Sequence, residues 1–75
     1  MWTYFFELDG PAAHNTLELI ARDLVSQGAI TQGILRSVNQ PNLYLLQCTV
    51  PHALKSTPEG PNVWIFKAAK ELGAE

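Results

Sequence analysis

Ala29-Ile30-Thr31-Gln32-Gly33-Ile34-Leu35-Arg36-Ser37-Val38 and Leu43-Tyr44-Leu45-Leu46-Gln47-Cys48-Thr49-Val50 stand either side of Asn39-Gln40-Pro41-Asn42. Both runs fit a two-residue repeat and carry many strand formers, while the four residues between them are turn formers, so the segment predicts an antiparallel hairpin. In the first run Ile30, Gln32, Ile34, Arg36 and Val38 fall on one side, with Ala29, Thr31, Gly33, Leu35 and Ser37 on the other. Gly33 in its middle points to a bulge or a close backbone approach, both of which go with strong curvature. The second run is apolar on both sides, with Tyr44, Leu46, Cys48 and Val50 opposite Leu43, Leu45, Gln47 and Thr49. That pattern predicts a central strand covered twice.

Upstream, Trp2 to Leu8 alternates as another strand, with Trp2, Tyr4, Phe6 and Leu8 on one face and Thr3, Phe5 and Glu7 on the other. Asp9-Gly10-Pro11 ends it; Asp9 is placed to cap a helix and Pro11 suits the first helical turn. Over residues 13 to 25, Ala13, Leu17, Ile20, Ala21 and Leu24 recur at steps of three and four, and Glu18 and Arg22 have the spacing of an outward ion pair. Gly28 supplies the left-handed stop. Downstream, Pro51 to Ser56 allows one or two helical turns before Thr57-Pro58-Glu59-Gly60-Pro61 breaks the chain. Val63-Trp64-Ile65-Phe66 has no polar side for an amphipathic helix, whereas Lys67 to Leu72 has helix propensity. Residues 62 to 68 therefore read as a fourth strand with a short helical tail, a helix through 62 to 72 being the competing reading.

The order strand, helix, strand, hairpinned strand, short helix, strand is an α+β layout: a ferredoxin-like antiparallel sheet with helices on one face, in a single domain spanning residues 1 to 75. Gly28-Ala29-Ile30, followed by Leu35-Arg36-Ser37-Val38-Asn39-Gln40-Pro41-Asn42-Leu43-Tyr44-Leu45-Leu46, resembles the middle of the antibiotic biosynthesis monooxygenase family of dimeric α+β barrels. There a helix and a glycine lead into a strand that ends in a similar turn, followed by an apolar strand. The likeness covers residues 2 to 54. It implies a homodimer with two sheets face to face and a monooxygenase-like oxidoreductase that works without a metal or bound cofactor. The chain departs from the family at Thr49-Val50-Pro51, where members commonly carry a Trp, and in its shortened second helix. Against the haem-degrading branch of the fold, the first strand lacks an Asn and no His follows His52. The resemblance thus implies a fold and carries over no catalytic set.

Composition bounds the rest. A chain of 75 residues with 47% hydrophobic and 16% charged residues has a marginal core of its own. The one cysteine excludes an internal disulfide, and Cys48, His14 and His52 are too few for a structural zinc site. Self-association is the simplest remaining way to hide apolar surface, so a homodimer is expected. Five scattered basic residues, outnumbered by seven acids, argue against nucleic acid. No apolar run approaches the ~20 residues of a membrane span, and no basic region precedes Trp2 to Phe6, so neither membrane nor signal peptide is expected and a cytoplasmic location is the default. Glycine-rich phosphate loops and paired carboxylates are absent from the sequence, which disfavours nucleotide cofactors; no cofactor is expected.

The strand faces assigned away from the helix carry Glu7, Gln32, Arg36, Gln47 and Thr49 together with Phe5, Ile34 and Leu45. Two such faces would enclose a lumen for a small apolar or aromatic ligand. Arg36, Glu7, Gln47 and Phe5 are the candidate ligand-binding residues, Arg36 either pairing with Glu7 across the central strand or receiving an anion. His52, at a strand end, and Glu7 are the candidate catalytic bases; an exposed loop histidine and a structural ion pair are the plainer alternatives. His14 reads as exposed and Cys48 as a small buried hydrophobe. Trp2, Trp64 and Phe66 either stack on a flat ligand or pack in the core or dimer. Two functions follow: a ligand-binding barrel, and a non-catalytic dimerisation or protein-interaction module suggested by small size and the missing catalytic set.

Overall fold

The computed structural model describes residues 1–73. The chain runs β1 (Trp2–Asp9), α1 (Ala13–Ser26), β2 (Ile30–Arg36), β3 (Leu43–Val50) and β4 (Asn62–Phe66), and closes with a short 3-10 helix (Ala69–Leu72). The four strands form one antiparallel sheet in the order β2-β3-β1-β4. Since β3 is antiparallel to both β1 and β2, the β1-α1-β2 unit is a split crossover with β3 inserted between its strands. The architecture is α+β, with one sheet and one α-helix among the described residues.

Alternation sends Tyr4, Phe6, Leu46, Cys48 and Val50 to the side covered by α1, where they join Leu17, Leu24 and Ala29 in the buried core. The helix begins after Ala12 without a side-chain cap, so Asp9 does not cap it; Asp9 is the last residue of β1, paired opposite Leu43. At its other end the Gly28 amide donates to the Val25 carbonyl and the Ala29 amide to the Leu24 carbonyl, both at 3.0 Å. This is a Schellman arrangement that requires positive φ at Gly28 (96°). It buries Ala29 beside Leu24 in the core. The expected Glu18–Arg22 pair is replaced by His14, whose Nδ1 lies 3.3 Å from Glu18 Oε1 one turn back.

Gly33 adopts φ 103° at a bulge between Thr31 and Gly33, and the bulge changes the sense of everything after it. Ile30 opposes Thr49, but beyond the extra residue Ile34 opposes Leu46 and Arg36 opposes Tyr44. Ile34 and Arg36 therefore lie on the helix side of the sheet, and Leu35, opposite Leu45, on the bare side. Unbroken alternation predicts the reverse; one inserted residue in a two-residue repeat exchanges the faces.

Among the described residues no second α-helix forms. Pro51 to Ser56 is irregular rather than helical, and the segment is held by Leu54, which packs on the core and whose amide donates to the Tyr4 hydroxyl at 3.0 Å. Val63 to Phe66 is strand, as its β-branched and aromatic run requires, pairing with β1 from Thr3↔Phe66 to Glu7↔Asn62.

Among the described residues, nothing covers the opposite face of the sheet. The chain exposes 5213 Å², whereas a compact 8.3 kDa monomer would expose about 4,600 Å². The excess includes large apolar side chains on the bare face: Ile30 is 60% exposed, Leu35 56%, Trp64 54% and Phe66 52%. Of β3 only the helix side is buried; Leu43, Leu45, Gln47 and Thr49 remain half-covered.

Candidate ligand-binding face

The bare face is a grid set by strand register. One row runs Ile30, Thr49, Thr3, Phe66; the next has Gln47, Phe5 and Trp64; a third has Leu35, Leu45, Glu7 and Asn62; Leu43 and Asp9 follow. Each is an alternate residue of its strand, so all share one side. Phe5 and Phe66 meet edge to face, with ring centroids 5.3 Å apart. Asn62 Nδ2 points to Glu7 Oε1 at 3.4 Å, and Gln32 Nε2 to Thr49 Oγ1 at 3.5 Å. Glu7 thus sits between an aromatic row and an apolar one. Beside it is a hollow of about 220 Å³ lined by Glu7, Leu35, Arg36, Ser37, Leu43, Tyr44 and Leu45.

Of the residues singled out from sequence, Phe5, Glu7, Gln32, Leu45, Gln47 and Thr49 come together on this face. Ile34 does not, and Arg36, on the helix side by register, meets them only as part of the lining of the hollow beside Glu7. Arg36 is an edge-strand residue whose Nε donates to the Pro41 carbonyl at 2.9 Å, bracing the β2–β3 turn. Among the described residues no ion pair joins it to Glu7. His52 follows β3 in the irregular segment, on a separate hollow of about 380 Å³ with Gln27, Val50 and Leu54. Val50 pairs with Trp2, five positions along β1 from Glu7 and roughly 16 Å away at the strand rise, and His52 lies beyond Val50 on a hollow that Glu7 does not line. The two candidate bases do not form one site. Cys48 is fully buried, and burial pushes its thiol above the ordinary value of 9.0. Trp2 lies on the helix side under Lys67, whose Nζ is 4.4 Å from the ring centroid, whereas Trp64 and Phe66 lie on the bare face.

Asn62 and Leu35 were not among the sequence candidates. Asn62 becomes visible once β4 is paired to β1, because its alternation with Trp64 and Phe66 matches that of Glu7 with Phe5 and Thr3. Leu35 was hidden by the bulge.

A larger trough, about 550 Å³, lies on the other side of the sheet between α1 and β2. Ala21, Ile34 and Leu46 form its apolar lining, and His14, Glu18 and Arg22 border it from the helix. His14 is occupied there by Glu18 and by an edge-on contact with Tyr44, centroids 5.3 Å apart. Among the described residues no helix is long and apolar enough to cross a membrane. Comparison of the chain with protein-family models, with characterised proteins and with solved structures gives no match.

Proposed function

We propose that the protein is a homodimer in which two bare sheet faces come together as a ferredoxin-like α+β barrel, and that the enclosed lumen binds a small molecule with an apolar or aromatic body. The observation that carries this reading is the uncovered sheet face with its four half-exposed large apolar side chains, Ile30, Leu35, Trp64 and Phe66. The excess of exposed area, about 600 Å² over a compact monomer of this mass, is close to the ~800 Å² that each partner contributes to a standard interface. A second copy is the occupant that matches it in extent, since a sheet face of the same width and corrugation covers the whole grid. The strand order β2-β3-β1-β4 around a split crossover supports the ferredoxin-like reading. The polar groups left among the apolar ones, Glu7, Gln47 and Asn62, give the lumen its means of orienting a ligand.

The monooxygenase-like chemistry implied by the sequence resemblance draws support here only from Glu7, the one candidate base that faces the lumen; His52 lies outside it. The proposal is therefore of binding. Light scattering at micromolar concentration tests the assembly: the wild-type chain scatters at about twice its 8.3 kDa mass, and Leu45→Asp, which places a charge in the middle of the joined faces, scatters as a folded monomer. A wild-type monomer refutes the reading.

A further inference from the structure

We infer that the outer edge of β4 pairs antiparallel with β4 of a second copy, so that two sheets join edge to edge into one continuous sheet. This interface is separate from the face-to-face contact proposed above and does not depend on it.

A sheet edge is a row of unpaired N–H and C=O groups that another strand can extend unless a bulge, a charge or a proline blunts it. Here the edges are β2 and β4. The bulge at Gly33 interrupts β2, and Arg36 stands at its end. β4 carries no such protection. Its register with β1 is unbroken from Asn62 to Phe66, and Asn62-Val63-Trp64-Ile65-Phe66 contains neither charge nor proline. Lys67, the next residue, is held elsewhere, its Nζ 4.4 Å from the centre of the Trp2 ring and 3.8 Å from Glu71 Oε2.

The helix side of β4 is open as well. α1 packs on β1, β2 and β3 and does not reach β4. Ile65, opposite Tyr4, lies on that side of the sheet, yet it is 50% exposed. A face-to-face contact covers Trp64 and Phe66 from the other side and leaves Ile65 and the backbone edge uncovered. Exposure on both sides of one strand is what an added neighbouring strand removes.

The sequence of β4 fits its own copy. An antiparallel pair about a two-fold at Trp64 sets Val63 opposite Ile65 of the second copy and Ile65 opposite Val63, two β-branched pairs on the helix side. Identical strands bring identical charges close about such an axis, and a strand with none pairs without that repulsion. The axis of edge pairing runs through the sheet, whereas that of the face contact runs along it. Perpendicular two-folds are the symmetry of a closed tetramer rather than of a fibre.

An edge of 5 residues buries less than a standard interface, so the pairing is weak and concentration-dependent. Light scattering from about 10 μM to about 1 mM is expected to show the wild type rising from twice toward four times its 8.3 kDa mass. Ile65→Lys puts a charge on the edge without altering the bare face; folded by circular dichroism, it is expected to stay at twice that mass. Cysteine cross-linking reads the register. Trp64→Cys places two thiols directly opposite, with Cα atoms about 4.5 to 5.5 Å apart and within disulfide reach. Ile65→Cys sets them about 8 Å apart, beyond it, and should cross-link about 10-fold less. Stacked sheets stand ~10 Å apart, so the face contact alone bridges neither variant. A wild type that stays dimeric across that range overturns the inference, leaves the face contact intact and frees the edge for the strand of another protein. Equal cross-linking of the two cysteine variants, or tetramers that persist in Ile65→Lys, also overturns it. A wild type that passes only from monomer to dimer, with cross-linking of Trp64→Cys, supports edge pairing and refutes the face contact.

Discussion

Replacing Tyr4 by Phe isolates the contact that takes the place of a second helix. Tyr4 is 2% exposed, and its ring stacks near Phe6 at a centroid distance of 6.0 Å, so Phe keeps the packing and deletes only the hydroxyl. That hydroxyl accepts the Leu54 amide at 3.0 Å in a partly buried setting. An amide left without its acceptor costs about 1 to 3 kcal/mol when sealed from water. Because this one is only partly buried, the lower end applies, about 1 kcal/mol, which lowers Tm by roughly 4 to 8 °C in a domain of this size. The effect should also be local: amides of residues 51 to 58 should exchange about 5-fold faster, since a 1.4 kcal/mol difference is tenfold. Thermal melts and amide exchange at equal protomer concentration provide the two readings, because a dimer's apparent stability depends on concentration. A Tm within about 1 °C of wild type together with unchanged exchange in that segment would refute the claim that this bond holds it down.

Leu46→Ala removes a side chain of zero exposure at the middle of β3 and should cost about 2 to 5 kcal/mol, a large part of the ~4 to 11 kcal/mol available to a chain this short; denaturant melts check it, and a negligible change contradicts the core assignment. Gly33→Ala meets no atom within 4 Å but forces a side chain onto φ 103°, so about 1 to 2 kcal/mol should be lost through backbone strain alone, again read from denaturant melts. Cys48 should resist alkylation at pH 8 in the native state and react on unfolding, as mass spectrometry would show, because its thiol is buried. Burial raises the native thiol above 9.0, so the native state holds its proton where the unfolded chain has begun to release it. Its contribution to stability is full below pH 9 and declines above; Cys48→Ala should flatten that alkaline decline.

β1, β3 and α1 were legible because no bulge or break interrupts their patterns. Leu43 to Val50 occupies the stretch its alternation predicts, and Ala13–Ser26 ends one residue beyond the apolar repeat. The second-helix region was misread for a physical reason: Pro51 to Ser56 has helix-compatible residues, but its one strong tie, Leu54 to Tyr4, is a tertiary contact that local sequence does not contain. The site was half legible. Phe5, Glu7 and Gln47 follow from alternation in β1 and β3 alone, and pairing confirms that they share a side. Arg36 departs from simple alternation because the bulge at Gly33 exchanges the faces of β2 downstream of it. Helix capping failed for a similar reason, since β1 extends through Asp9 and draws that residue into the sheet.

The central claim is that the bare faces of two copies meet. Isotope-filtered NOE spectra of a mixed sample, one copy labelled with ¹³C and the other unlabelled, test it most directly because only contacts between copies give signals. The account predicts intermolecular NOEs among Phe5, Leu45, Trp64 and Phe66. Intermolecular NOEs confined to α1 or the 51–61 segment, or none at concentrations where light scattering reports a dimer, would contradict it.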